Sequence, residues 1–399
     1  MAQHTNGPTE GANNESDAAT PPWSPAGYLD AGSGLPMHPR ARDALLAAYA
    51  DGWADPDRIY RDARRARLLL DNAREQIAAV LGARPDEISF TGSGIAAAHL
   101  AILGTARGRN RVGSKCLVSA VEHSAILAAA AFAGHRVELP VDALGRLELS
   151  AVESELTRDT ALIAVQSANQ EVGTTQPLAA VGTVAKSYDV PLVVDASASL
   201  GRLPIPTDWD CLVGDARLWG GGSGVGVLAV RTGVRWRSPM PDDGHEFGRV
   251  PGMPAIAAIV AAAVGLEAVE HHRVHESTRL AALIDHIRQA VAATVPDTVV
   301  LGDPVDRLPH IVTFSCLYVE GQMLLSELDR AGIAVTSGSA CVADSLVPSH
   351  VLAAMGALTH GNIRVSLPFG CQVQDVERFL RVLPEAVARV RSELGAERL

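Results

Sequence analysis

Lysine is nearly missing from this chain of 399 residues, occurring only as Lys115 and Lys186 although lysine and arginine together number 34. Chemistry that needs a lysine amine therefore has two positions to choose from. Lys115 precedes a β-branched run, and Lys186 ends a helical pattern leading into the next run, so both belong at the amino ends of a parallel sheet. Ligands of open α/β sheets gather at the carboxyl ends, which excludes both amines from the expected cleft. Positive charge is also lacking: the formal net charge of -11 argues against nucleic acid as a direct partner. The five cysteines, at 116, 211, 316, 341 and 371, are odd in number and include no C-x-x-C pair. A chain of this size needs no disulfide stapling, so a reducing cytoplasm is expected. Long apolar runs are absent too. The most apolar stretch, Met253 to Val269, is rich in alanine and short for a membrane span, and reads as a buried core helix. Residues 1–22 hold almost no large apolar side chain, so they lack a signal-peptide core and are expected to form a disordered tail. No HExxH, Cys/His cluster or GxSxG site appears, leaving metal hydrolysis and serine-hydrolase chemistry without support.

What is present suits a soluble enzyme fold: 47% of residues are hydrophobic and 20% charged. From about residue 40 to 230, helical patterns alternate with short β-branched runs, as in an α/β domain with a mostly parallel sheet. Seven strands are expected, at 88–91, 116–119, 136–139, 161–166, 191–195, 210–213 and 225–230. Residues 57–81 form an arginine-rich amphipathic pattern, and Glu122 to Ser124 open a helix running to Ala133. Two long helices, near 253–271 and 276–294, precede strands at 310–318, 333–336 and 362–367, a helix at 320–331 and a closing helix at 373–393. The expected division is a tail over 1–22, a large α/β domain over 23–252, and a linking helix with a small α+β domain over 253–394. Gly220 to Gly226 precedes a strand and lacks a Gly-Lys-Ser/Thr ending, so it reads as a turn and not a nucleotide loop.

Several stretches carry chemistry together: Tyr28-Leu-Asp30, Ile88 to Gly94, Val121-Glu-His-Ser-Ala-Ile126, Asn169-Gln-Glu-Val-Gly173, Val194 to Gly201, Ser337 to Leu352 around Cys341, and Asn362 to Leu367. In this combination the chain resembles the NifS-like cysteine desulfurases of the class V aminotransferase superfamily, from Tyr28 to about Leu394. The resemblance implies an aspartate-aminotransferase-like fold (fold type I), pyridoxal phosphate (PLP) as cofactor, cysteine as substrate and a homodimer. It implies that His123 stacks on the cofactor ring; a histidine merely opening a helix is the other reading. Asp195 matches the carboxylate that keeps the pyridinium protonated, or is a turn residue. Arg364 matches the substrate-carboxylate site, where a planar fork pairs with two oxygens, or forms an ordinary surface ion pair. Cys341 matches the persulfide-forming thiol, and its Ser-Gly-Ser-Ala flank argues for exposure over an inert burial.

The departures from that pattern cluster around one ligand. Arg217 takes the position of the Schiff-base lysine, and a guanidinium stays protonated and is a poor nucleophile. Ile95, Gly214, Asp215 and Ala216 stand at positions that hold the PLP phosphate in the family. Ala198, Gln170 and Met253 replace further cofactor contacts. The resulting expectation is a desulfurase-like protein, degenerate in PLP chemistry, that acts in sulfur transfer through Cys341 or as the partner of an active desulfurase, with a sulfur-acceptor protein downstream. Two alternatives stay open: a PLP-binding desulfurase or lyase, and a non-catalytic structural or regulatory dimer.

Overall fold

The computed structural model describes residues 23–337 and 348–395. The chain enters through α1 (Pro39–Asp51) and α2 (Arg61–Leu81). It then runs β1 (Ile88–Thr91), α3 (Gly94–Gly108), β2 (Lys115–Ser119), α4 (Ser124–Ala133), β3 (His135–Leu139), α5 (Leu149–Glu155), β4 (Thr160–Ala164), α6 (Leu178–Ser187), β5 (Leu192–Asp195), β6 (Cys211–Asp215) and β7 (Gly226–Val230). After these come α7 (Ile256–His271), α8 (Arg273–Thr294), β8 (Thr298–Leu301), β9 (Ile311–Cys316), α9 (Gly321–Arg330), α10 (His350–Ala354), β10 (Asn362–Ser366) and α11 (Val373–Glu393).

Seven strands form one sheet in the order β1-β7-β6-β5-β4-β2-β3. Pairing from β6 through β3 is parallel, and β7 alone runs against both of its neighbours. Side chains alternate across a strand, so a sheet covered on both faces needs apolar residues at consecutive positions. That is what the strands provide. Leu117, Ile163, Val194 and Leu212 enter one core. Val118, Leu162, Val193 and Val213 enter the core on the opposite face. The helix α7 belongs to the first core through Ile256, Ile259, Ala262, Leu266 and Val269.

A second sheet, β10-β9-β8, is antiparallel throughout. Its core joins Phe314 and Ile363 to Leu280, Leu328, Phe379 and Leu383 from the helices around it. Leu29, fully buried, belongs to this core although it lies far away in sequence. Its backbone bonds to the carbonyl of Ala334, and Ser366 bonds back to the carbonyl of Leu29. Burying such a leucine contributes about 1.5–3 kcal/mol, enough to hold the segment that follows, Asp30 to Gly34, against β10.

All seven expected strands of the large sheet are present, with ends shifted by one or two residues. Two expectations fail in the smaller unit. Residues 333–336 form isolated bridges, Ala334 to Tyr28 and Thr336 to Arg364, and not a strand. The strand β8 was not foreseen; it lies at a sheet edge where Thr298, Val299 and Val300 all keep some exposure, so its side-chain pattern carries little signal. The helix expected over 57–81 starts at Arg61, because Pro56 and the Asp57 amide, bonded to Asp55 Oδ1 at 2.9 Å, form a turn first. Among the described residues no helix is long and apolar enough to cross a membrane. The tail over 1–22 lies outside the described residues.

Candidate functional site

The carboxyl ends of β2, β4, β5 and β6 open onto a cleft of about 170 Å³. It is lined by His123, Gln170, Asp195, Arg217 and Arg364, together with Glu171, Asp215 and His350. Five of the six site residues singled out from the sequence thus surround one space. Cys341, the sixth, lies outside the described residues. Both described flanks of its segment bond to residues of the cleft. Thr336 exchanges backbone hydrogen bonds with Arg364, while Ser349 Oγ donates to Glu171 Oε2 at 2.6 Å and His350 Nε2 lies 2.8 Å from the Glu122 carbonyl.

His123 is the N-cap of α4, and its Nδ1 accepts from the Ala125 amide at 3.1 Å. A nitrogen that accepts carries no proton, which leaves Nε2 as the ring's donor. Behind it, Glu122 is fully buried; Oε1 accepts from the Gln166 amide at 2.6 Å, while Oε2 has no partner. Desolvation pushes its pKa well above the ordinary carboxylate range, and the nearby charge of Asp195 pushes the same way. Asp195 ends β5, and its Oδ1 accepts from the Ser197 amide at 2.9 Å, so it closes a turn and lines the cleft at once.

Arg364 is 1% exposed, and most of its fork is already occupied. Nη2 donates to Asp30 Oδ1 at 2.9 Å and to Ser33 Oγ at 2.7 Å, and Nη1 donates to the Gln170 carbonyl at 3.0 Å. Nε is buried without a partner. A Cβ on Gly32 would lie 3.0 Å from Arg364 Cζ, so glycine lets this backbone lie flat on the guanidinium. Arg364 thus pairs with Asp30, but the pair is buried and is not the surface ion pair offered as one reading, and two of its N–H groups carry no protein partner.

Glu171 shares this polar layer. Burial raises its pKa to about 7, against the opposing effects of the Ser349 hydrogen bond and the Arg364 charge. The sequence signals for Ser33, His350 and the Ser349–Glu171 bond were weak: each is a common residue type in a loop or at a helix start. Only their meeting in space distinguishes them.

Arg217 sits on a short 3₁₀ turn, Ala216–Trp219, held from three sides. Its amide bonds to Asp215 Oδ1 at 3.0 Å, its carbonyl accepts from Leu35, and Trp219 Nε1 donates to the Ala262 carbonyl on α7. The guanidinium lies 3.7 Å from Asp215 Oδ2 and its side chain is 47% exposed. Gly220, at φ +77°, closes the turn in a conformation that favours glycine. Neither lysine lines the cleft. Lys115 opens β2 at its amino end and pairs with Glu155 at 2.8 Å, and Lys186 lies near the end of α6, 3.3 Å from Asp208.

The other four cysteines are buried and poorly suited to nucleophilic work. Desolvation raises Cys116 to about 11 and both Cys211 and Cys371 to about 12, and pushes Cys316 up as well. Among the described residues there is no grouping of His, Cys, Asp and Glu able to hold a metal.

This combination of a mostly parallel seven-stranded sheet, a smaller antiparallel unit and a cleft between strand ends and β10 defines an α/β transferase of fold type I. The chain belongs to the class-V aminotransferases, whose family model matches residues 27–379. It is 32% identical over 375 residues to the cysteine desulfurase IscS of Dictyoglomus turgidum, covering 92% of this chain and 95% of that one. It is 33% identical over 378 residues to the cysteine desulfurase NifS of Azotobacter vinelandii, with 92% and 93% covered. Among solved structures, a NifS-like protein has the same fold with a TM-score of 0.85 at 24% identity, covering 91% of this chain and all of that one. The aspartate-aminotransferase-like fold expected from the sequence is borne out.

Proposed function

We propose that this protein is a cysteine desulfurase-like member of its family that does not hold PLP in the family's way and takes part in sulfur transfer through Cys341. Its assembly is a homodimer, or a heterodimer with an active desulfurase that supplies the sulfur. The observation that carries this reading is the location of the lysines: the chain has two, both lie at the amino ends of the sheet region, and the cleft presents Arg217. An arginine side chain cannot release a proton to become a neutral amine at ordinary pH, so it supplies no Schiff-base nucleophile. The raised thiol pKa values at the four buried cysteines support Cys341 as the working sulfur atom. Large apolar side chains exposed in the α1–α2 region, among them Leu46, Tyr49, Trp53, Ile59 and Leu68, support a protein partner on that side.

In the proposed step, the Cys341 thiolate attacks the outer sulfur of a persulfide on the partner desulfurase. The sulfur–sulfur bond of the donor breaks, a new one forms at Cys341, and the donor leaves as a thiolate. One sulfur atom moves with no net oxidation. The test is intact-mass measurement after incubation with an active desulfurase and cysteine. A gain of one sulfur, reversed by dithiothreitol and absent in Cys341→Ser, is expected; no gain in the wild-type chain contradicts the relay.

A second reading, a PLP-binding desulfurase or lyase acting on cysteine, is favoured by the gathering of His123, Asp195 and Arg364 about the cleft. Release of sulfide from cysteine by the pure protein after PLP addition would support it over the first.

A further inference from the structure

We infer that Asp215 is a specificity residue that bars phosphate-bearing ligands from the cleft by placing the chain's own carboxylate in the first turn of α3. This rests on the reading that PLP is not held in the family's way. A helix start facing a cleft ordinarily favours an anion, because its first amides lack helical partners and the helix dipole is positive there. Here Asp215 lies beside that place. A Cβ built on Gly94, the first residue of α3, would meet Asp215 Cβ at 2.5 Å and Oδ2 at 2.8 Å. Asp215 therefore fits only because residue 94 is glycine, and its carboxylate lies beside the first turn. Ser93 Oγ is committed to the Ala96 amide, and the next residue, Ile95, is apolar and 47% exposed.

Charge balance points the same way. The two guanidinium groups that line the cleft each face a carboxylate, Arg217 with Asp215 and Arg364 with Asp30. Asp195 adds a further carboxylate to the lining. A phosphate dianion entering beside α3 would meet Asp215 at short range, and the guanidinium of Arg217 beside it already faces that same carboxylate. A ligand without phosphate meets no such barrier.

The test is calorimetric titration of the full-length protein with pyridoxal phosphate, pyridoxal and inorganic phosphate, comparing wild type, Asp215→Asn and Asp215→Ala. Asp215→Asn keeps the shape and removes the charge, so the test survives if the alanine variant folds poorly. Both variants are expected to gain at least roughly tenfold in affinity for pyridoxal phosphate and inorganic phosphate, and less than about twofold for pyridoxal. An equal gain for pyridoxal, or no gain for either phosphate ligand, overturns the inference. The two levels of reading fail differently. If wild type binds pyridoxal phosphate tightly, the reading of a lost cofactor mode falls and the bar falls with it. If wild type and both variants all fail to bind it, that reading stands and the role of Asp215 is refuted.

Discussion

Gly94 and Asp215 show how two small choices can remake a cleft without touching the fold. Because a Cβ at residue 94 would lie 2.5 Å from Asp215 Cβ, Gly94→Ala forces an overlap that costs about 1–3 kcal/mol. The cost is expected to shrink in Gly94→Ala/Asp215→Gly, which removes the Cβ at 215, and urea unfolding of the four chains in the cycle measures that coupling. Glu171 gives a pH prediction. Its folded pKa, about 7, lies above the ordinary carboxylate range, so its contribution is fully present below the unfolded pKa near 4.5. That contribution is lost as pH rises towards 7. The loss is about 3 kcal/mol across this window, and Glu171→Gln should lack it. Urea midpoints at intervals from pH 4.5 to 8 check this: the wild-type curve falls relative to the variant, and parallel curves would contradict the assignment. The candidate residues His123, Asp195, Gln170, Arg217 and Arg364 were legible through the resemblance to the cysteine desulfurases, because each stands at a position that family uses for cofactor or substrate. The use of Arg364 by Asp30 and Ser33 was not legible, since it depends on a segment more than 300 residues away along the chain.

At the scale of elements, β1 is held against α2 by a buried ion pair that no local pattern announces. Arg74 on α2 makes a bidentate bond to Glu246, at 2.8 Å to each oxygen, and Glu246 Oε2 also accepts from the Phe90 amide on β1. Glu246 and Phe247 both hold positive φ, at 46° and 59°, a conformation costly for side chains of this size and kept by the surrounding bonds. Arg74→Ala would leave a buried carboxylate facing an empty space. It should cost about 3–5 kcal/mol in urea unfolding, and Arg74→Lys should recover only part because an ammonium cannot form the fork. The inner parallel strands of the large sheet were readable from sequence because burial on both faces produces continuous apolar runs, as in β4 and β5. The strand β8 and the bridges at 333–336 were not, because one is a partly exposed edge and the others are single pairings, Ala334 with Tyr28 and Thr336 with Arg364 on β10.

For the whole molecule, the family and the fold follow from broad similarity, while the chemistry turns on a few positions that depart from it. Fold alone does not decide activity. If the account is right, Cys341→Ser abolishes sulfur uptake, whereas serine at Cys116, Cys211, Cys316 or Cys371 leaves it within about twofold, since their thiols are buried and protonated at neutral pH. Labelling of each variant by radioactive sulfur from cysteine through an active desulfurase reads this out. The central claim, that the chain has no amine placed to hold the cofactor, is tested most directly by borohydride reduction after incubation with PLP, followed by intact mass and peptide mapping. The account predicts no stoichiometric pyridoxyl adduct and no cofactor absorbance band retained on desalting. A stoichiometric adduct on Lys115 or Lys186 would contradict it.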